Sequence, residues 1–364
     1  MPNLNKAISL FLLIIPTEIA VAFPENVRLG YANCSSCHVS PTGGGVLNSY
    51  GRMSGAEVLS TFSTPREENY SLEPPPKWFA YGGDIRYLNV SSQTLDQKYS
   101  RRFMMQSDLE LAVSPIPGLT VSSAIGYYNV DLPFKVRPLE EQRRNFLLLD
   151  LNPHLSFRVG RFFPAYGIMS SDHTLVTRSA LGFTQGSETL NLEGSFKGEH
   201  GEVFVTAVGG DTGKIELKKS EGYKWDSNGP ESGVVGRASI YPGRRVQIGV
   251  SGFRLTSPQA VRTAAGAFTM IGFTEDIYAL LEFNRLHAYE VSTNVWQAKL
   301  GVEVYKGIHL TALHEGQEKA QTVWRFGAGF FPRPHWEFVG EFRKRMPAEG
   351  YPSDEWVFIL HYYI

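Results

Sequence analysis

The sequence has few cysteines and no excess of charge of either sign. Its 364 residues include only two cysteines, and 35 lysines and arginines are balanced by 36 acidic residues. A nucleic-acid-binding protein would carry a basic surplus, so we expect no nucleic-acid partner. The composition, with 20% charged residues, 13% aromatic residues and 36 glycines, is unlike a helical membrane bundle. It suits a β-barrel, in which lipid-facing apolar residues alternate with polar residues of the lumen.

Both cysteines fall within five residues, Cys34-Ser35-Ser36-Cys37-His38. This spacing is typical of c-type haem attachment: two thiols add to the two vinyl groups of one haem, and the following histidine binds the iron. No cysteine remains for a disulfide, a zinc site or a catalytic thiol. The motif predicts one covalent haem c, with Cys34 and Cys37 as thioether anchors and His38 as the proximal iron ligand.

The first residues predict an export signal over residues 1–22. Lys6 gives a positive start, an apolar run follows, and Ala20-Val21-Ala22 resembles a cleavage site. The run is too short to span a bilayer; an uncleaved anchor helix is the alternative. Export agrees with c-type haem, which is attached outside the cytoplasm, and predicts the periplasm or the outer membrane of a Gram-negative cell.

Three zones follow the signal. Residues 23–63 form a cytochrome-like haem segment rich in small residues, and residues 64–77, which include three consecutive prolines, form a stiff linker. Residues 78–364 consist of short segments with period-2 alternation. We read the last zone as an outer-membrane, porin-like domain.

The alternation predicts strands with one apolar and one polar face. Leu190, Leu192 and Phe196 lie opposite Asn191 and Glu193, and the same pattern recurs in about sixteen segments of the length a tilted membrane strand needs. A soluble β-sandwich or solenoid is the alternative, but sixteen strands cannot share one sandwich core. The predicted fold is an all-β, transmembrane antiparallel barrel of about 16 strands.

The connections alternate between short and long. Turns rich in glycine and proline separate some strands, while longer polar loops occur around residues 129–143, 164–188, 209–231 and 346–354. Outer-membrane barrels have short periplasmic turns and long external loops, so both ends of the chain are expected on the periplasmic side.

The second axial ligand of the haem is less constrained. Met53 is the only methionine between the signal and the barrel, and a thioether is a common partner of histidine in cytochromes c. The alternative is that Met53 packs against the macrocycle without binding the iron. In that case a lumen histidine such as His361 could be the second ligand. His173 and His287 fall in or near the external loops.

The haem zone contains no recognisable amphipathic helix of ordinary length, and about forty residues cannot enclose a macrocycle alone. We therefore expect the segment to plug the periplasmic side of the lumen, with the barrel wall completing the pocket.

The haem motif, followed by Val39, Pro41, Leu47 and Tyr50-Gly51-Arg52, resembles the N-terminal segment of fused monohaem cytochrome–porins of the iron-oxidiser type. The resemblance implies an outer-membrane barrel linked to extracellular electron transfer.

Two functions remain open. The first is an electron conduit between an extracellular donor or acceptor and a periplasmic c-type cytochrome. Lumen charges would hydrate the pore or merely line it; the candidates are Arg86, Arg158, Arg161, Glu337 and Arg343. The alternative is a porin for small solutes with a structural or redox-gating haem plug, in which a loop after Gly160 folds inward and arginines select anions. An enzyme such as a peroxidase ranks last, because no distal acid–base pair is recognisable.

Overall fold

The computed structural model describes residues 24–64, 67, 75–131, 142–172, 174–184, 187–210, 231–258, 260–288 and 290–364. The predicted signal, most of the predicted linker and His173 lie outside these residues. The first strand begins at Phe79, next to the expected start of the barrel.

Sixteen antiparallel strands close into one barrel, which confirms the predicted fold class. Each strand pairs with its neighbour in sequence, and β1 closes the ring on β16, with Ser91 opposite Trp356. The strands are β1 Phe79–Gln93, β2 Lys98–Ile116, β3 Leu119–Asp131, β4 Gln142–Asp150, β5 Leu155–Phe162, β6 Thr189–Gly198, β7 Gly201–Val208, β8 Ser232–Gly243, β9 Val246–Thr256, β10 Val261–Gly272, β11 Ile277–Ala288, β12 Val291–Tyr305, β13 Ile308–Gln317, β14 Gln321–Phe330, β15 Trp336–Pro347 and β16 Ser353–Tyr363.

The outer face of the barrel is apolar. In β6, Leu192 is 56% exposed whereas its neighbour Glu193 is 1% exposed, because successive side chains of a strand point to opposite faces. An exposed belt of Leu, Val, Ile and Phe around a closed barrel is the surface that a lipid bilayer requires. Among the described residues, no helix is both long and apolar enough to cross a bilayer.

The turns at the end of the barrel where β1 begins and β16 ends are short, as predicted. One of them, residues 273–276, has no turn signal in the sequence because it contains neither glycine nor proline; the Thr274 hydroxyl instead accepts hydrogen bonds from the amides of Asp276 and Ile277. At the opposite end the sequence predicts four longer loops, and the other connections there are short. Residues 94–97, 257–260, 289–290 and 318–320 are short connections.

In the connection between β5 and β6, the described residues 163–172, 174–184 and 187–188 fold into the lumen, as the sequence suggested; we call this connection the inner loop. It carries a short helix, α2 (Val176–Ala180). Tyr166, Leu181 and Phe183 pack with the inward-facing Phe253 and Leu286 of the wall. Arg325 of β14 forms an ion pair with Asp172 at 2.6 Å, so the loop is held against strands far from its own ends.

Residues 24–64, here called the N-terminal segment, contact inward-facing residues and turns of the barrel. They contain a 3₁₀ turn Pro24–Leu29, a helix α1 (Ser49–Ser54) and a π-helical turn Gly55–Leu59. No sequence pattern indicated α1, because six residues are too few for an amphipathic repeat. Arg28 forms an ion pair with Glu303 at 2.6 Å, and the Thr61 amide donates to the Phe331 carbonyl.

Candidate functional site

The haem motif forms a tight turn. The amides of Cys37 and His38 both donate to the Cys34 carbonyl, at 3.2 and 3.0 Å. Asn33 caps this turn, since its side-chain oxygen accepts from the Ser36 amide at 3.0 Å and from the Ser36 hydroxyl at 2.7 Å. The turn brings both thiols and the imidazole of His38 into one small region of the chain.

A short hairpin follows the motif and folds back over it. His38 and Leu47 form a β-bridge, and the tip between them is Gly43-Gly44-Gly45, with φ angles of 77°, 69° and 72°. These left-handed conformations favour glycine. A Cβ on Gly43 would lie 3.2 Å from the Cys34 Sγ, so the glycine tip leaves room beside the first thiol.

Helix α1 packs against the other side of the motif turn. The side-chain oxygen of Asn48 caps this helix by accepting a hydrogen bond from the Gly51 amide at 2.8 Å. The backbone amide of Asn48 donates to the Cys37 carbonyl at 2.8 Å. At Gly51 a Cβ would lie 2.4 Å from the Cys37 carbonyl oxygen. Only glycine allows this approach, which explains the residue type within Tyr50-Gly51-Arg52.

A buried arginine of β5 fastens the hairpin to the barrel wall. Arg158 donates to the hydroxyls of Ser40 and Thr42 at 3.0 and 3.2 Å. It also pairs with Glu193 at 2.7 Å, and both side chains are 1% exposed. The sequence identified Arg158 only as part of the lumen lining; its contacts show that it also holds the N-terminal segment.

Between the N-terminal segment, the wall and the inner loop lies a cavity with about 1690 Å³ of space not filled by protein atoms, part of it open to solvent. Cys34 and His38 line it, together with the glycine tip. The wall contributes the arginines Arg86, Arg144, Arg158 and Arg237 and the histidine His361, and the inner loop contributes Met169 and Arg178.

Two residues at this cavity, Cys34 and His38, fit one thioether anchor and the axial ligand of a covalent haem. Among the described residues no group of three or more histidine, cysteine or acidic side chains could hold a metal ion. A porphyrin-held iron needs only axial ligands from the protein, so the absence of such a cluster does not conflict with one histidine and two thiol anchors. Cys37 is 1% exposed and, unlike Cys34, is not among the residues that line the cavity.

The two thiols do not resemble reactive cysteines. Burial raises the pKa of Cys34 to about 11 and that of Cys37 to about 12. A redox or nucleophilic cysteine requires a lowered pKa. The thiols are therefore protonated and neutral near neutral pH when nothing is attached to them.

The candidates for the second axial ligand are placed differently. Met53 lies on α1, is 38% exposed and is not among the residues lining the cavity. His361 lines the cavity, but its two ring nitrogens are hydrogen-bonded to Asp84 and Glu337, at 2.6 and 2.7 Å. Met169, which no sequence pattern indicated, lines the cavity from the inner loop.

Comparison with known proteins bears on the barrel. No family model matches the chain, and no curated protein matches it. Among solved structures the chain is similar to OprB of Pseudomonas putida, with a TM-score of 0.59, 11% identity, and coverage of 85% of this chain and 99% of that chain. It is also similar to an anion-selective porin from Comamonas acidovorans, with a TM-score of 0.55, 9% identity, and coverage of 79% and 99%.

A third similar structure is the outer membrane channel DcaP of Acinetobacter baumannii, with a TM-score of 0.54, 12% identity, and coverage of 79% and 97%. The barrel has the porin fold. At such identities the likeness concerns the fold alone. The porin fold that the resemblance implies is thereby confirmed, and the cytochrome part stays a prediction.

Proposed function

We propose that this porin-fold barrel lies in the outer membrane and passes electrons through one haem c attached at Cys34 and Cys37. An extracellular donor or acceptor would meet the haem from one end of the lumen, and a periplasmic c-type cytochrome from the other. The observation that supports this proposal best is that Cys34 and His38 line a cavity shared with the inner loop, rather than hanging below the barrel.

The location of the cavity sets the distance that electrons must travel to either side of the membrane. The apolar band of such a barrel is about 25 Å tall and insulating. A redox centre beneath it would serve one side only, whereas a centre within the lumen shortens both electron transfers. When bound, the haem would supply reversible one-electron chemistry.

The chain's own residues would then position the group. His38 would ligate the iron, and the glycine tip at residues 43–45 would leave space for the macrocycle beside Cys34. Arg158 would keep the segment on the wall through Ser40 and Thr42. The inner loop would cover the cavity from the far side and limit the access of water.

The test is electron transfer across a sealed membrane. The protein is reconstituted in liposomes loaded with a reducible dye, and a membrane-impermeant reductant is added outside. Dye reduction is expected with the wild-type protein and is expected to be lost in His38→Ala. The matched control is His287→Ala, because His287 is exposed on the outer face of β11, where it contacts Ser292. Equal dye reduction by His38→Ala and the wild type would contradict the proposal.

A second candidate is a porin for small solutes in which the haem segment is a structural or redox-gating plug. The comparisons support this candidate more directly, because the similar structures include an anion-selective porin and an outer membrane channel. Planar-bilayer conductance separates the two. Solute flux without dye reduction would favour the porin, and a conductance that changes on reduction would favour redox gating.

A further inference from the structure

Five arginines of the described chain line the cavity, and four of them are paired with carboxylates. Arg86 pairs with Asp84 at 3.4 Å and Arg158 with Glu193 at 2.7 Å. Two more pairs complete this set: Arg144 with Glu110, and Arg237 with Glu202. Each of these charges is already compensated by a neighbour on the wall.

The fifth, Arg178, is different. It lies on α2 of the inner loop and is 8% exposed, yet within the described parts of the chain its guanidinium forms neither an ion pair nor a hydrogen bond. Its contacts are aromatic, with the guanidinium carbon 5.6 Å from the ring centre of Phe163 and 6.0 Å from that of Phe183. Glu188 and Glu282 attract it only through space.

A buried guanidinium without a hydrogen-bonding acceptor is costly. Aromatic contacts at these distances, and carboxylates that act only through space, offset part of the cost of burying this charge but supply no acceptor in contact with it. The loop cannot easily withdraw, because the Val176 amide is held by Glu315 at 2.7 Å. A ligand that supplied two acceptor oxygens in one plane would match the fork of the guanidinium.

We propose that Arg178 receives a carboxylate group within the cavity. The haem of the proposed function carries two propionate carboxylates, and these are the expected source; in this respect the inference rests on that function. A carboxylate solute passing through the lumen has the same chemistry, and the experiment separates the two sources.

The first arm uses the haem-loaded protein, with haem content checked spectroscopically before any other measurement. Loss of a cation beside the haem stabilises the ferric state. Arg178→Gln is therefore expected to raise the ferric-to-ferrous ratio at fixed potential about tenfold, equivalent to a fall of about 59 mV in midpoint potential. Arg178→Lys, which keeps the charge, is expected to restore most of the shift. Arg285→Gln is the control, because Arg285 is exposed and bound to Asn294.

The second arm uses the haem-free double variant Cys34→Ala/Cys37→Ala in planar bilayers, with sodium acetate gradients. If Arg178→Gln lowers the acetate-to-sodium permeability ratio here but leaves the potential of the haem protein unchanged, the carboxylate is a solute. Lack of effect in both arms overturns the inference. Absence of haem from the wild-type protein would overturn the proposed function, while the second arm would still test Arg178.

Discussion

Substitution of Gly51 tests how the haem motif is held. Gly51 of α1 lies against the motif turn, and a Cβ there would lie 2.4 Å from the Cys37 carbonyl oxygen and 3.1 Å from its carbonyl carbon. Both atoms belong to the backbone, so no side-chain rotation relieves the overlap. Ordinary contact begins near 3.4 Å, so in Gly51→Ala the helix and the turn must separate by roughly 1 Å.

The magnitude follows from a matched pair of substitutions. At Gly55, one helical turn further on, a Cβ would meet only the Tyr363 hydroxyl, at 3.9 Å. At both positions, replacing glycine by alanine reduces the conformational entropy of the unfolded chain, which stabilises the folded state by about 0.5–1 kcal/mol. Only Gly51→Ala adds overpacking, which costs about 1–3 kcal/mol. The two variants should therefore differ by about one to two orders of magnitude in the equilibrium for opening the turn.

Hydrogen exchange measured by mass spectrometry reports this opening directly. The amides of Val39 and Asn48 donate to the carbonyls of Val46 and Cys37, so they should be protected in the wild type. Their exchange should be accelerated in Gly51→Ala and unchanged or slower in Gly55→Ala. The fraction of haem-loaded protein should fall in the first variant only. Equal protection in the two variants would refute the packing argument.

Three further predictions concern the wall and the inner loop. Arg158→Gln leaves a buried carboxylate unpaired and should lower the free energy of unfolding by about 3–5 kcal/mol, measured as a lower thermal midpoint; an unchanged midpoint would contradict its anchoring role. Because Met169 lines the cavity and Met53 does not, Met169→Leu should abolish the near-infrared signature of thioether–iron ligation, whereas Met53→Leu should keep it; the opposite result would identify Met53 as the ligand. Burial alone raises the pKa of Asp172, but the positive charges of Arg325 and Arg343 have a larger, opposite effect, so its pKa lies below the ordinary 3.8. The stabilisation that this ion pair gives the inner loop should therefore be complete above pH 3.8 and be lost progressively as the pH falls below it, so single-channel current noise should rise there in the wild type but not in Asp172→Asn; a rise in wild-type noise between pH 7 and pH 5 that Asp172→Asn abolishes would contradict this.

The barrel could be predicted from the sequence because lipid on one side and a polar lumen on the other impose a strict period-2 pattern. For this reason the sequence alone places Leu192 on the lipid-facing side of β6 and Glu193 on the lumen side. The turn at residues 273–276 could not be recognised, because its conformation is stabilised by one threonine hydroxyl rather than by glycine or proline.

The candidate site likewise contains residues that the sequence predicts and residues that it does not. The sequence predicts Cys34, Cys37 and His38 as a haem site because covalent haem attachment requires their spacing, and the structure brings Cys34 and His38 to one cavity. Arg178 and Met169 were not identifiable. Their position depends on where the inner loop attaches, and that is decided by carboxylates such as Glu315 on strands more than a hundred residues away.

The most direct measurement is peptide mass spectrometry of the protein purified from outer membranes, combined with thiol alkylation. We predict that the peptide containing Cys34 and Cys37 carries the added mass of one haem and that neither cysteine reacts with the alkylating agent after denaturation. Two free, alkylated cysteines on a peptide without that added mass would contradict the haem assignment.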